Sequence, residues 1–321
     1  MAETAGRAGA APVALVGTGR MGAAMAGRLA RAGYPLVLFN RTRSRAEQVA
    51  AETARSLGTA TGSTPAPAAR VVDTAAEAAE AAGENGMVLV SLADDAAVTD
   101  AYRADGGLLA GLRPGAVVAD TSTVAPATVH ALAPLVTDRG ATLLDTPVSG
   151  SVPVVERGEL TVLAGGDPAA LDRIRPMLAS FARLVFHLGA LGAGATVKLA
   201  VNSVVHALNQ AVAEALVLAE RAGVDRAAAY RVFVNSAAGA PFVQYKQEAF
   251  LHPETAPVAF SLALVAKDLA LISELAGQVG SRMDLTDAGR ALVEEALAAG
   301  YGDRDLSALA ELLRAGGDGR R

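Results

Sequence analysis

The chain has no cysteine among its 321 residues. Disulfides and thiolate chemistry are therefore excluded. Histidine is scarce: His130, His187, His206 and His252 are scattered without ligand-like spacing, so no metal site is expected. Aromatic residues make up 4% and charged residues 19%. There is no long basic run and the formal net charge is −5, so nucleic acid is not an expected partner. The opening Met-Ala-Glu-Thr-Ala-Gly-Arg lacks the apolar centre of a signal peptide. No uncharged, membrane-like run approaches about 18 residues, so no membrane span is expected and the expected location is the cytoplasm. What the chain does have is apolar residues, 52% of the total. It is long enough for two domains and a large core.

Short apolar segments alternate with alanine-rich helical ones through the first half. Strands are predicted at 13–16, 36–39, 70–72, 87–91, 116–119, 142–144, 161–164 and 184–187. This β-α-β rhythm predicts an α/β fold, an N-terminal Rossmann doubly wound parallel sheet. Residues 58–69, rich in Gly, Thr, Ser and Pro, read as an exposed insertion. After about residue 190 the strand signals stop. Helices are predicted at 193–221, 225–237, 241–251, 259–279, 286–299 and 305–314. The expected organisation is a cofactor domain over 1–190 and an all-α helical domain over 191–321. The helical domain is expected to serve substrate and oligomerisation, with the long helix as the spine between the two.

Gly17, Gly19 and Gly22 form G-x-G-x-x-G. The pattern alone is weak, but here it follows a strand, opens a helix at 23–32 and leads to a second strand. That context is the dinucleotide fingerprint. The first glycine permits the tight turn, the second lets backbone approach a pyrophosphate, and the third lets helix and strand pack. The candidate contacts in this loop are Gly17, Thr18, Gly19, Arg20, Met21 and Gly22. The second strand ends in Asn40-Arg41-Thr42-Arg43-Ser44-Arg45 rather than in an acidic residue. Arginines and hydroxyls suit a ribose 2′-phosphate, so NADP(H) is expected over NAD(H). Asn40, Arg41, Thr42 and Arg45 are the candidate contacts, and Leu92, Ala93 and Thr121 are further ones.

The segment Gly192-Ala193-Gly194-Ala195-Thr196-Val197-Lys198 opens the long apolar helix, and Asn202 follows Lys198 on the same face. The surroundings predict that this face is buried. A buried lysine must be paired or must use its proton. Near a dinucleotide site, Lys198 is the candidate general acid for a carbonyl oxygen that gains charge as hydride arrives. Asn202 is the candidate to hold Lys198 or a substrate hydroxyl. His206 continues the face and reads as a core or interface histidine.

With these residues in place, the chain resembles the β-hydroxyacid dehydrogenase family, which includes 3-hydroxyisobutyrate dehydrogenase and the glyoxylate and succinic semialdehyde reductases. The resemblance runs over nearly the whole chain. It rests on Gly17-Thr18-Gly19-Arg20-Met21-Gly22, on Asp120-Thr121-Ser122-Thr123-Val124-Ala125-Pro126, on Asp145-Thr146-Pro147-Val148-Ser149-Gly150, and on the Lys198–Asn202 segment, in that order. It implies that Ser122, Ser149 and Gly150 bind substrate. It also implies that Lys267, in Lys267-Asp268-Leu269, lies near cofactor and substrate carboxylate. Two departures stand out: Ser151 replaces a second glycine, and Val154-Val155 replaces Gly-Ala. Together with the Asn-Arg-Thr loop they lean the substrate toward a small aldehyde acid and away from 3-hydroxyisobutyrate. Residues 240–245 are expected to border the pocket.

Two other readings compete. Imine reductases share the fold and the Asn-Arg-Thr loop, but usually have another residue in place of Lys198 and lack the Ser-Gly segment. A non-catalytic NADPH-binding sensor would have no use for Ser122, Lys198 and Asn202 together. The larger 6-phosphogluconate dehydrogenase needs a bigger helical domain than this chain supplies. The expected partners are a small carboxylate-bearing carbonyl substrate and a second copy of the chain, most simply in a two-fold dimer.

Overall fold

The computed structural model describes residues 11–58 and 69–316. Most of the expected 58–69 insertion lies outside the described residues, as does the N-terminal segment read above for a leader. The chain divides into two compact units, Met1–Lys198 and Leu199–Arg321.

In the first unit the order is β1 (Val13–Val16), α1 (Arg20–Arg31), β2 (Leu36–Phe39), α2 (Arg43–Gly58), β3 (Arg70–Val71), α3 (Ala75–Ala82), β4 (Met87–Val90), α4 (Asp95–Arg103), α5 (Leu108–Gly111), β5 (Val117–Asp120), α6 (Pro126–Thr137), β6 (Thr142–Asp145), β7 (Val148–Ser149), α7 (Val152–Arg157), β8 (Leu160–Ala164), α8 (Pro168–Leu178) and β9 (Ala182–His187). Six strands pair in the order β3-β2-β1-β4-β5-β6, all parallel. This is the doubly wound order, with the crossover between β1 and β4. Alternate residues of each strand feed opposite layers. Val13 and Leu15 join one apolar layer with Met25, Leu29, Leu38 and Leu144, while Ala14 and Val16 join the other with Val88, Val90, Tyr102 and Val118.

The strands expected at 161–164 and 184–187 form but do not extend this sheet. They are β8 and β9 of a separate three-stranded sheet, in which β7 pairs antiparallel with β8 and β8 pairs parallel with β9. Pro147, between β6 and β7, has no N–H to give to a ladder, and the chain leaves the six-stranded sheet there.

Helix α9 (Ala193–Arg221) follows, and the division between the units falls inside it. The second unit continues with α10 (Arg226–Asn235), α11 (Pro241–Tyr245), α12 (Gln247–Leu251), α13 (Leu262–Val279), α14 (Asp284–Ala298), a 3-10 turn Leu306–Ala308 and α15 (Leu309–Ala315). No strand occurs here among the described residues. By length and composition α9 is apolar enough to cross a membrane, which the sequence reading did not expect. Within the second unit, however, it buries Asn202, His206 and Asn209, and Asn209 Nδ2 donates to the Leu306 carbonyl at 2.9 Å. Polar side chains buried against neighbouring elements of the same unit are what a core helix carries.

The single helix expected over 241–251 is two. Lys246 stands between α11 and α12, 4% exposed, with Nζ 2.8 Å from both carboxylate oxygens of Asp305. Asp305 also accepts the Ala259 N–H at 2.9 Å and the Ser307 N–H at 3.1 Å. One buried carboxylate thus fixes the break between α11 and α12, the loop before α13 and the 3-10 turn. Within 240–245, Phe242 (5% exposed) and Val243 (0%) belong to the core of this unit, while Gln244 and Tyr245 are exposed. The aromatic and branched side chains of the first two satisfy the hydrophobic demand of α10, α12 and α13.

Candidate active site

The glycine-rich loop joins β1 to α1. Gly17 has φ +99°, and a Cβ there would come within 2.2 Å of the Ser91 carbonyl oxygen, at the end of the adjacent β4. A Cβ at Gly22 would lie 2.1 Å from the Gly17 carbonyl oxygen, while one at Gly19 meets nothing within 4 Å. Gly19 caps α1 with no side-chain bond, and the first turn holds no acidic residue. A positive helix end without an internal acceptor, beside open space at a glycine, fits an anionic pyrophosphate. Thr18 is 4% exposed, Met21 half-buried, and Arg20 exposed.

Asn40 ties this loop to the arginine loop. Its Oδ1 accepts the Thr18 N–H at 3.0 Å, and its Nδ2 donates to the Thr42 carbonyl at 3.0 Å. Arg41, Thr42 and Arg45 are exposed. Arg43 is committed elsewhere: its Nε lies 2.8 Å from Glu47, and it also pairs with Asp73.

The turns after β4 and β5 meet. Ser122 Oγ accepts the Leu92 N–H at 3.0 Å, the Ser122 N–H donates to Asp120 at 3.0 Å, and Tyr102 donates its hydroxyl to Asp120 at 3.0 Å. Burial raises the Asp120 carboxyl above its ordinary value, against the pull of the Ser122 and Tyr102 bonds. Thr121 Oγ1 donates to the Val90 carbonyl at 2.6 Å. Thr121 and Ser122 are thus buried with engaged hydroxyls, and the half-buried hydroxyl of this turn is Thr123. Leu92 is half-buried and Ala93 exposed.

Ser149 lies on β7 opposite Thr161, half-buried, and Gly150 is exposed with φ +135°. Val155 is 0% exposed and packs in the core that holds α1, which accounts for one of the two departures in this segment. Lys198 is half-buried rather than buried. The start of α9 is bonded to Asp145, a residue the sequence reading did not single out.

In the second unit Asp268 (0% exposed) gathers three donors. Asn202 Nδ2 donates to its Oδ2 at 2.6 Å, Lys267 Nζ lies 2.9 Å from its Oδ1, and His206 Nε2 lies 3.5 Å from its Oδ2. Burial pushes this carboxyl up, but the His206 and Lys267 interactions outweigh it and hold it below the ordinary value. His206 is 7% exposed, in line with its reading as a core histidine. The sequence reading quoted Asp268 beside Lys267 without a role. An acid among apolar helix positions was the available signal.

Residues 12–189 match the NAD binding domain of 6-phosphogluconate dehydrogenase, and residues 192–313 match the NAD-binding region of NADP-dependent 3-hydroxyisobutyrate dehydrogenase. The chain is 31% identical to the NAD-dependent L-serine dehydrogenase of Pseudomonas aeruginosa, over 94% of this chain and 97% of that protein. It is 32% identical to the 3-sulfolactaldehyde reductase of Escherichia coli, over 95% and 96%. Among solved structures, 3-hydroxyisobutyrate dehydrogenase of Mycobacterium tuberculosis with L-serine superposes with a TM-score of 0.78 at 28% identity, over 95% of this chain and 99% of that one. Taken with the glycine loop on its six-stranded sheet, these matches mean that the chain belongs to the 3-hydroxyisobutyrate dehydrogenase family and is an NAD(P)-binding oxidoreductase acting on a hydroxyl or aldehyde group.

Proposed function

We propose that the chain reduces a small aldehyde acid to its hydroxy acid, and catalyses the reverse oxidation, with NADP(H) preferred over NAD(H) and Lys198 as general acid and base. The observation that carries the reading is the place of Lys198. It stands less than two turns into α9, at the end of the compact unit that also contains the glycine-rich loop and the Ser149–Gly150 segment. Gly17, Thr18, Gly19, Arg20, Met21 and Gly22 would hold the pyrophosphate, and Asn40, Arg41, Thr42 and Arg45 the 2′-phosphate. Leu92, Ala93 and Thr121 would flank the nicotinamide.

A bound nicotinamide supplies hydride in reduction and takes it in oxidation. Lys198 Nζ gives its proton to the carbonyl oxygen as that oxygen gains charge, and recovers it in the reverse direction. Ser149 and the Gly150 backbone donate to the substrate carboxylate. Ser122 holds the neighbouring turn. Lys267, poised on Asp268, supplies charge opposite the carboxylate, and Asn202 serves the substrate hydroxyl. A lysine at 198 together with the Ser-Gly segment favours carbonyl over imine reduction. The exposed Val204 and Leu218 of α9 support a homodimer.

The test follows nicotinamide absorbance with a panel of aldehyde acids, carbonyls and imines. The Lys198→Ala variant should lose about 10²–10⁴-fold in kcat while binding cofactor as before. Wild-type turnover in that variant, or turnover of imines alone, overturns the proposal.

A further inference from the structure

Asp145 ends β6 and is 1% exposed. Its two oxygens are both directed at the start of α9. Oδ1 accepts the Gly192 N–H at 2.8 Å and Oδ2 accepts the Ala195 N–H at 2.7 Å, with a further bond from the Gly194 backbone. These N–H groups belong to a helix start, where no carbonyl of the helix itself can reach them. A carboxylate satisfies them and opposes the positive end of the helix.

The carboxylate is confined from several sides. A Cβ at Gly165 would lie 2.5 Å from Oδ1. One at Gly194 would lie 2.9 Å from Oδ2 and 2.2 Å from the Leu163 carbonyl oxygen. One at Gly192 would lie 2.6 Å from His130 Nε2, which itself sits 2.8 Å from the Leu191 carbonyl. The helix start therefore has little freedom to shift or turn against β6 and β8. Asp145 is also in register with Asp120 on β5, and the Thr146 N–H donates to the Asp120 carbonyl at 2.7 Å. Lys198 follows Gly194 by one turn on the same side of the helix.

We infer that Asp145 is a positioning residue for Lys198: it fixes the root of the lysine's helix against the strand ends that carry Ser122 and Ser149. The inference rests on the reading of Lys198 as proton donor. Proton transfer depends steeply on placement, and an error of about 1 Å costs on the order of 10²-fold.

The test is Asp145→Asn, which keeps the side-chain volume and one acceptor but turns an NH2 toward backbone donors. We expect kcat to fall about tenfold or more, with cofactor affinity within about twofold of wild type. The substrate KM should stay within about twofold of wild type while kcat falls, a split that a residue needed only for folding would not give. In a Lys198→Ala background the same substitution should add less than about twofold, because both changes act on one group. If Asp145→Asn does not fold, Asp145→Glu takes its place. It keeps the charge on a side chain one methylene longer, and should lower kcat about tenfold with KM within about twofold of wild type. A folded variant with wild-type kcat, or one whose loss adds in full to that of Lys198→Ala, overturns the inference. Should Lys198→Ala alone retain wild-type kcat, the reading of the lysine fails first, and the cycle shows which of the two has failed.

Discussion

Arg41→Ala probes cofactor choice most directly. Three arginines follow β2, but they are not equivalent. Arg43 pairs with Glu47 and Asp73, so its guanidinium is already used within the fold. Arg41 and Arg45 are exposed, and the Asn40 amide holds the backbone on which Arg41 stands, through the Thr18 N–H and the Thr42 carbonyl. A hydrogen bond to a charged group contributes roughly 1.5–3 kcal/mol. Losing one from a 2′-phosphate would therefore weaken binding by about 10- to 150-fold, and solvent exposure places the value toward the lower end. NADH lacks that phosphate, so its affinity should change by no more than about twofold. Arg43→Ala should leave the ratio of the two cofactors unchanged, because its partners are carboxylates of the protein. Fluorescence titration of both cofactors on wild type and both variants, at one fixed ionic strength, measures all the constants needed, since salt screens such contacts. Equal losses of NADPH and NADH in Arg41→Ala, or a selective loss in Arg43→Ala, would refute the reasoning.

Two further outcomes concern stability and assembly. Breaking the buried Lys246–Asp305 pair with Lys246→Met should cost about 3–5 kcal/mol in a denaturant melt, because the carboxylate is left without its counter-charge. Burial raises the Asp305 carboxyl, but the Lys246 charge and hydrogen bonds outweigh it and hold it below the ordinary value. Its contribution is thus present above the ordinary carboxylate pKa of about 3.9 and fades as pH falls below that. The stability gap between wild type and Asp305→Asn should stay level down to about pH 5 and narrow as pH falls below about 4, and a gap that stays constant there would contradict this. On α9, Val204 is 67% and Leu218 is 73% exposed. Wild type should sediment as a dimer at micromolar concentration and the Val204→Glu/Leu218→Glu variant as a monomer, whereas a monomeric wild type would remove the proposed interface.

Much of the fold was legible before any coordinates. The four-residue strands β1 and β2 are apolar throughout, and the glycines between β1 and α1 mark one turn and its helix start, so local pattern sufficed. Helix α9 was read to its observed ends because no glycine or proline interrupts its mostly apolar sequence between Gly194 and Gly223. Strand β7 escaped because two residues carry no periodicity. The burial of Phe242 and Val243 was not legible, because an apolar side chain looks the same whether it lines a pocket or fills a core.

The partners of charged groups form a different category. Asp145 meets Gly192 across 47 positions, Lys246 meets Asp305 across 59, and Asn202 meets Asp268 across 66. No spacing rule reaches that far, since side-chain periodicity reports only which face a residue shares with near neighbours. The sequence by itself determined the alternation of strand and helix, the dinucleotide loop and the order of the motifs, because each is a local demand of backbone geometry and burial. Only the tertiary structure decided which carboxylate holds which donor, because chain topology sets those meetings and buried charge keeps only the partners it can bond.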